Sequence, residues 1–178
     1  MKKYNIPIFI PHEGCPHDCV FCNQRKITGV STTVKPSDAE RIIEEYLGYL
    51  PNKEKTIEAA FFGGSFTGLP LELQEDFYRT TAKFRLQING IRLSTRPDYI
   101  NDDTLELAEK YGVTMIELGA QSASDKVLSM NNRGHTFEQT CTAVEKIKAR
   151  KIGVGLQMMT GMYGSTAEVD ILTAKKLA

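Results

Sequence analysis

Short apolar segments alternate with longer amphipathic segments along the whole chain. Five of the apolar segments are rich in Ile, Val, Leu and Phe and predict β-strands, at residues 5–10, 57–62, 91–95, 113–118 and 152–159. Most of the intervening stretches repeat their apolar residues every three or four positions, which predicts helices with one buried face. The first of these faces consists of Ala39, Ile42, Ile43, Tyr46, Leu47 and Leu50.

Helix-start signals fall between the predicted strands. They are Pro70, Asn101 and the capping-box patterns at residues 37–40, 136–139 and 165–168. Gly112 ends the helix that Asn101 begins, and residues 126–130 form a short helical piece. This alternation predicts an α/β fold built from right-handed βαβ units, with a parallel sheet that curls toward a barrel. A doubly wound open sheet is the alternative, although no Gly-x-Gly-x-x-Gly segment follows the first strand.

Composition narrows the class of protein. The 178 residues are expected to form one domain, and 22 basic residues balance 22 acidic ones, so no overall field attracts nucleic acid or a membrane surface. Local basic clusters at 25–26 and 146–151 are interpreted as solvated faces. The apolar segment 6–10 is short and contains Pro7, so we expect neither a signal peptide nor a membrane span. Three clustered cysteines and one distant cysteine do not resemble a disulfide framework, which indicates a reducing, cytoplasmic environment.

The cysteine cluster is the strongest chemical signal. Cys15, Cys19 and Cys22 follow the pattern Cys-x3-Cys-x2-Cys, with Phe21 just before the last. A [4Fe–4S] cluster held by three thiolates leaves one iron open to a small chelating molecule. Two alternatives remain: the three cysteines could share the face of a buried helix, or they could bind zinc with His12 or His17 as fourth ligand.

Every unusual motif lies at the carboxyl end of a predicted strand. The motifs are the cysteine loop, Gly63-Gly64, Arg96, Gln121 and Gln157. Catalytic groups of parallel barrels gather at the carboxyl ends of their strands, so these residues are expected to share one site. Gly63-Gly64 could also be only a tight turn. His135 could be an acid/base group on the substrate side, but it is interpreted as a turn residue next to Gly134. Cys141 is expected in the core because it lies on an apolar helical stripe.

The segment Cys15-x3-Cys19-x-Phe21-Cys22 resembles the signature of the radical S-adenosylmethionine (SAM) enzymes. The resemblance implies a partial (β/α)6 barrel and a [4Fe–4S] cluster whose open iron binds the amino and carboxylate groups of SAM. It also implies an external one-electron donor of the flavodoxin or ferredoxin type, and cleavage of SAM to a 5′-deoxyadenosyl radical. Only five of the six β/α units are visible, so residues 1–178 are expected to be a radical SAM core domain that is incomplete at its C-terminus.

The same resemblance implies which residues contact SAM. Phe21 is expected against the adenine ring, and the backbone of Gly63-Gly64 is expected to receive the amino group. The other implied contacts are Ser94, Gln121, Arg133 and Gln157. Ser65 and Ser94 stand where related sequences often carry acidic residues, and Gly161-Met162-Tyr163-Gly164 replaces the usual Gly-Leu-Pro-Gly.

Four further segments are similar to the elongator-type branch of that superfamily. They are residues 62–67, 95–99, 117–122 and 133–136. Members of this branch modify wobble uridines of transfer RNA and carry an acetyltransferase domain after the radical SAM domain. The resemblance therefore implies a nucleic-acid base, such as a tRNA uridine, as substrate, with tRNA as a partner and no membrane. The alternative is a non-catalytic module that binds zinc or an iron–sulfur cluster together with RNA or SAM.

Overall fold

A computed structural model describes residues 2–10, 15, 19–22, 34–50 and 55–178. Within these ranges five strands form one sheet in the order β1-β2-β3-β4-β5, and every neighbouring pair is parallel. Their bounds are β1 Lys2–Ile10, β2 Lys55–Gly63, β3 Gly90–Thr95, β4 Val113–Gln121 and β5 Gly153–Met158. All five predicted strands are present. β1 and β2 begin earlier than the apolar pattern indicated, and β4 continues to Gln121.

Helices connect the strands, as the alternation predicted. They are α1 Pro36–Tyr49, α2 Leu71–Ala82, α3 Asp102–Lys110, α4 Asp125–Met130, α5 Phe137–Ala149 and α6 Ala167–Leu177. Short 3-10 turns at Phe66–Gly68 and Pro97–Tyr99 follow β2 and β3. None of the helices in the described ranges combines the length and apolar character needed to cross a membrane.

Two predicted helix starts are confirmed and two are shifted. Asn101 accepts a hydrogen bond from the Thr104 N–H at 2.9 Å, and Thr136 caps α5 in the same way. α1 begins at Pro36, one residue before the expected serine cap, because proline suits the first helical position. The last helix is capped by Thr166 rather than Ser165.

The two faces of the sheet differ sharply. One face packs against α1, α2, α3 and α5 through a buried core that includes Ile6, Ile8, Ile57, Phe61, Phe77, Leu93, Leu105, Ile116, Leu118 and Ile147. The alternate strand residues form the other face, which we call the open face: Phe9, Glu58, Phe62, Arg92, Ser94, Glu117, Gly119 and Gln157. This face retains polar groups because no described helix packs its apolar side against it.

The expectation that Cys141 belongs to the core is wrong. Its side chain is exposed on α5, whose buried residues are Thr140, Ala143 and Ile147. The buried stripe includes a threonine, which carries a methyl group but was not counted among the apolar residues. The helix is therefore rotated away from the position that its apolar residues alone suggested.

Candidate functional site

The cysteine loop lies against the segment that follows α4. The Val20 N–H donates to the Asn131 carbonyl oxygen at 3.2 Å, and the Cys22 N–H donates to the Cys19 carbonyl oxygen at 2.9 Å. Cys19 is buried, whereas Cys15 and Cys22 are exposed. His12 and His17, the alternative zinc ligands, and the basic cluster at 25–26 lie outside the described residues.

The three thiols and two arginines are electrostatically coupled. Loss of surrounding water raises the pKa of the Cys15 thiol above its ordinary value, and the Arg96 guanidinium opposes this shift. Cys19 and Cys22 raise the pKa of Cys15 further, and Arg133 lowers it. Such mutual effects require proximity, so these groups lie in one neighbourhood. Arg96 and Arg133 therefore partly offset the effect of burial on the Cys15 thiol, whose net pKa shift is upward.

A single metal ion and an iron–sulfur cluster require different arrangements of these side chains. Within the described ranges, no group of three or more His, Cys, Asp or Glu side chains is arranged to hold one ion. An iron–sulfur cluster has a different requirement, because each thiolate binds a separate iron. The donor chemistry of Cys15, Cys19 and Cys22 fits such a cluster.

Arg133 connects the cysteine loop to β4. Its Nη1 lies 3.5 Å from the Cys19 sulfur, and its Nη2 donates to the Gly119 carbonyl oxygen at 2.6 Å. The guanidinium carbon lies 6.0 Å from the centre of the Phe21 ring. The Nε is buried and has no hydrogen-bond partner among the described residues. A buried guanidinium with an unused N–H suits an anionic ligand group such as a carboxylate.

Arg96 holds the backbone of Arg133 through a hydrogen bond. Its guanidinium pairs with the Asp98 carboxylate at 3.0 and 2.9 Å and also donates to the Arg133 carbonyl oxygen. The Arg96 N–H donates to the Ser65 hydroxyl at 3.1 Å. With 3% of its surface exposed, Arg96 is a buried support rather than a group offered to a ligand. The sequence indicated its place at a strand end but not this function.

Ser65 belongs to a buried group of hydroxyls. Its Oγ lies 2.9 Å from the Thr95 Oγ1, which in turn lies 2.5 Å from the Thr67 Oγ1. These contacts join the ends of β2 and β3. They explain why a serine stands here where related sequences often carry an acidic residue. A carboxylate at this position would be buried among hydroxyls that already form hydrogen bonds with one another.

The Gly63-Gly64 pair brings β2 close to β1. Gly63 has φ +109°, and an added Cβ would lie 2.7 Å from the Ile10 carbonyl oxygen and 2.8 Å from the Phe9 ring. The Gly64 N–H donates to the same Ile10 oxygen at 2.7 Å. Glycine is required here because a side chain would collide with the backbone of β1 and with a ring on the open face. Phe9 was missed in the sequence because it reads as one more apolar strand residue.

Gln121 and Arg133 both lie close to Gly119, and their assignment to one ligand stays a prediction. A Cβ on Gly119 would lie 3.0 Å from the Gln121 Nε2 and 3.2 Å from the Arg133 Nη2. Gln121 itself has φ 63°, an uncommon conformation for a residue other than glycine. Strain of this kind is retained where the surrounding structure holds a side chain in one direction.

Ser94 and Gln157 lie on the open face, and neither contacts Cys15 or residues 19–22, the described part of the cysteine loop. Ser94 is half-buried and lies beside Glu117 in the β3–β4 register. Gln157 is exposed, and its Nε2 donates to the Glu117 carboxylate at 2.7 Å. Glu117 also accepts from Arg92 at 2.6 Å, a contact that the sequence analysis did not anticipate.

His135 is buried next to this arrangement. Neither ring nitrogen meets a hydrogen-bond partner among the described residues, and 5% of its surface is exposed. Burial, followed by the positive charge of Arg133, lowers the pKa of His135 to about 4. The imidazole is therefore neutral near pH 7. It is more deeply buried than the turn residue that the sequence indicated.

The basic cluster at 146–151 is consistent with the solvated face expected for it. Lys146 lies 3.5 Å from the Asp102 carboxylate, and Arg150 lies 3.0 Å from the Glu109 carboxylate. Pairing with these acids of α3 reduces the positive potential that an RNA backbone would require.

The parallel sheet, the cysteine loop and the glycine pair together define the class of protein. The chain belongs to the radical SAM superfamily, whose family model matches residues 9–174. It is an enzyme domain of that superfamily. The family implies an iron–sulfur cluster, which agrees with the prediction from the cysteine pattern.

Two curated relatives point to one branch of the superfamily. A tRNA uridine(34) acetyltransferase of Methanocaldococcus infernus is 26% identical over 196 residues, which cover 88% of this chain and 36% of the relative. Elongator complex protein 3 of Saccharomyces cerevisiae is 28% identical over 204 residues, covering 90% of this chain and 36% of the relative. The resemblance to the elongator-type branch is confirmed, and the chain spans just over a third of the length of these relatives.

Solved structures show the same fold. Elp3 of Methanocaldococcus infernus with an N-terminal deletion has a TM-score of 0.71 at 22% identity, covering 98% of this chain and 42% of that one. Coproporphyrinogen III oxidase of Escherichia coli, a radical SAM enzyme, has a TM-score of 0.65 at 20% identity, covering 98% and 40%. The expected α/β fold, a partial parallel barrel of the radical SAM type, is confirmed.

Proposed function

We propose that this chain binds a [4Fe–4S] cluster through Cys15, Cys19 and Cys22 and uses it to cleave SAM reductively. The observation that carries the proposal is the placement of Arg133, which contacts Cys19 and Gly119 while its Nε stays buried without a partner. When bound and reduced, the cluster supplies the electron that splits SAM into methionine and a 5′-deoxyadenosyl radical. The chain's own residues then bind and orient SAM and exclude water.

The residues assigned to SAM have separate tasks. Arg133 offers a guanidinium to the carboxylate of SAM, and Gln121 adds an amide beside it. Phe21 supplies an apolar surface next to Arg133 for the adenine ring. The remaining contacts are proposed to come from the backbone of Gly63-Gly64 and from Ser94 and Gln157, which face the same side of the sheet.

We propose a nucleic-acid base, such as a tRNA uridine, as the substrate of residues 1–178 acting as a radical SAM core domain. The support is the similarity to a relative that is named a tRNA uridine(34) acetyltransferase. The proposed partners are tRNA and an external one-electron donor of the flavodoxin or ferredoxin type. Clustered thiols that bind iron require a reducing environment, which supports a cytoplasmic location.

Iron and acid-labile sulfide measurements test the cluster assignment. Protein reconstituted anaerobically should bind iron and sulfide, and Cys15→Ala, Cys19→Ala and Cys22→Ala should each lose most of both. Cys141→Ala is the matched control, because this exposed cysteine lies on α5 and should leave the cluster content unchanged.

Formation of 5′-deoxyadenosine from SAM under dithionite tests the reaction itself. The unaltered protein and the Cys141→Ala protein should form it, and the other three variants should not. A colourless protein that contains one zinc ion and no sulfide would contradict the proposal and favour a non-catalytic module.

A further inference from the structure

Four side chains form a continuous polar network across the open face. Glu58 on β2 accepts from Arg92 on β3, with N–O distances of 3.0 and 2.9 Å. Arg92 donates to Glu117 on β4 at 2.6 Å, and Glu117 accepts from Gln157 on β5 at 2.7 Å. The charged side chains are 15–20% exposed. The network therefore spans four strands and is sheltered from bulk water at its centre.

The network determines which end of the Gln157 amide faces the protein. A carboxylate that pairs with an arginine is ionised, and an ionised carboxylate can only accept hydrogen bonds. The Gln157 atom that contacts Glu117 must therefore be the amide nitrogen. Arg92 occupies the other oxygen of Glu117, and Glu58 in turn holds Arg92 from its far side.

The other end of the amide is available to a ligand. Gln157 is exposed, and its Oε1 has no partner among the described residues. Because the amide nitrogen is committed to Glu117, the side chain presents an acceptor to the open face. Without Glu117, the amide could rotate and present either a donor or an acceptor.

We infer that Glu117 is a positioning residue that fixes the Gln157 amide, so that this part of the site selects a ligand group that donates a hydrogen bond. The inference rests on the proposed binding of SAM. SAM has two such groups besides the amino group of its methionine portion: the ribose hydroxyls and the exocyclic amine of adenine. Gln157 contacts the ligand, whereas Glu117 acts only through Gln157.

Binding measurements with three ligands test this role in the cluster-loaded full chain. The ligands are SAM, an analogue without the two ribose hydroxyls, and an analogue whose adenine amine is dimethylated. One of the two analogues, the one that lacks the donor group bound by Gln157, should bind the unaltered protein about tenfold more weakly than SAM. This is the loss expected for one hydrogen bond. In Glu117→Gln this penalty should fall below about twofold, because the amide at position 157 is no longer held in one orientation.

Matched variants separate a specific effect from general damage. Glu106→Gln makes the same chemical change at an exposed position of α3 and should keep the full penalty. Gln157→Leu should lose the penalty as Glu117→Gln does. An equal penalty in Glu117→Gln and the unaltered protein would overturn the inference, as would the absence of a penalty for both analogues in the unaltered protein. Failure of the cluster-loaded, unaltered protein to bind SAM would instead reject the proposed function.

A spectroscopic measurement covers the case in which Glu117→Gln does not fold. The side-chain amide signals of Gln157 can be assigned in the unaltered protein by their absence from Gln157→Leu. A single pair of signals that exchanges slowly with water is expected for an amide held by a carboxylate. Two interconverting orientations, or rapid exchange, would overturn the inference.

Discussion

Replacing Arg133 by methionine removes the guanidinium while keeping an unbranched apolar stem. The Gly119 carbonyl oxygen then loses a donor that lies 2.6 Å away, and the buried Cys19 thiol loses its contact at 3.5 Å. A hydrogen bond from a charged donor contributes roughly 1.5–3 kcal/mol. We therefore expect the free energy of unfolding to fall by about 2 kcal/mol. With a typical urea dependence of about 2 kcal/mol per M, the unfolding midpoint should fall by about 1 M.

The same substitution should weaken SAM binding without removing the cluster. Loss of the charged contact to a carboxylate corresponds to an increase of about tenfold or more in the dissociation constant. Iron and sulfide content should not change, because the cysteines bind the metal. Anaerobic isothermal titration with SAM, together with urea unfolding, measures both effects.

A surface arginine provides the control for Arg133→Met. Arg79→Met removes a side chain that is 62% exposed and pairs with Glu75 at 3.3 Å, so it should leave the urea unfolding midpoint nearly unchanged. An unchanged unfolding midpoint in Arg133→Met would refute the structural reasoning. A lower midpoint with unchanged SAM affinity would show that Arg133 only supports the fold and would remove it from the ligand site.

Gly119→Ala should lower SAM affinity by about tenfold, because its methyl group would lie 3.0 Å from Gln121 Nε2 and 3.2 Å from Arg133 Nη2 and would displace both. Gly48→Ala, with no atom within 4 Å of the added methyl, is the control, and equal affinities would contradict the prediction. Stability should also decline as pH falls from about 6.5 to about 4, because the unfolded chain protonates His135 while the folded chain, whose His135 pKa is lowered to about 4, does not. The loss attributable to this group approaches about 3 kcal/mol. It should be absent from His135→Leu, and identical pH profiles in urea unfolding would argue against it.

The order of the elements was predictable because local patterns determine it. Five apolar segments became five strands, and the caps at Asn101 and Thr136 work through side-chain contacts only three residues away. The errors also have local causes. The pattern from Ser37 to Glu40 resembled a capping box, with Ser37 as the residue that precedes the helix. The helix instead begins at Pro36, so Ser37 lies inside its first turn.

The site was only partly predictable, because much of it depends on contacts between distant strands. The closeness of Gln121 and Arg133 could be expected from a resemblance in their spacing. The pairing of Glu58 with Arg92, and of Glu117 with Gln157, depends on the register of four parallel strands. A charged residue in a strand does not indicate which neighbour it will meet, so no pattern in the sequence pointed to this network.

The buried support of Arg133 by Arg96 has a consequence for the cost of binding. An arginine side chain that becomes ordered only when its ligand arrives loses rotational freedom, which reduces affinity by about 0.5–1.5 kcal/mol. In this chain the Arg133 backbone is held by Arg96 and its guanidinium by Gly119 and Cys19. The loss of conformational entropy therefore occurs during folding. An anion that approaches Arg133 meets a preorganised partner, and most of the energy of their interaction is retained as affinity.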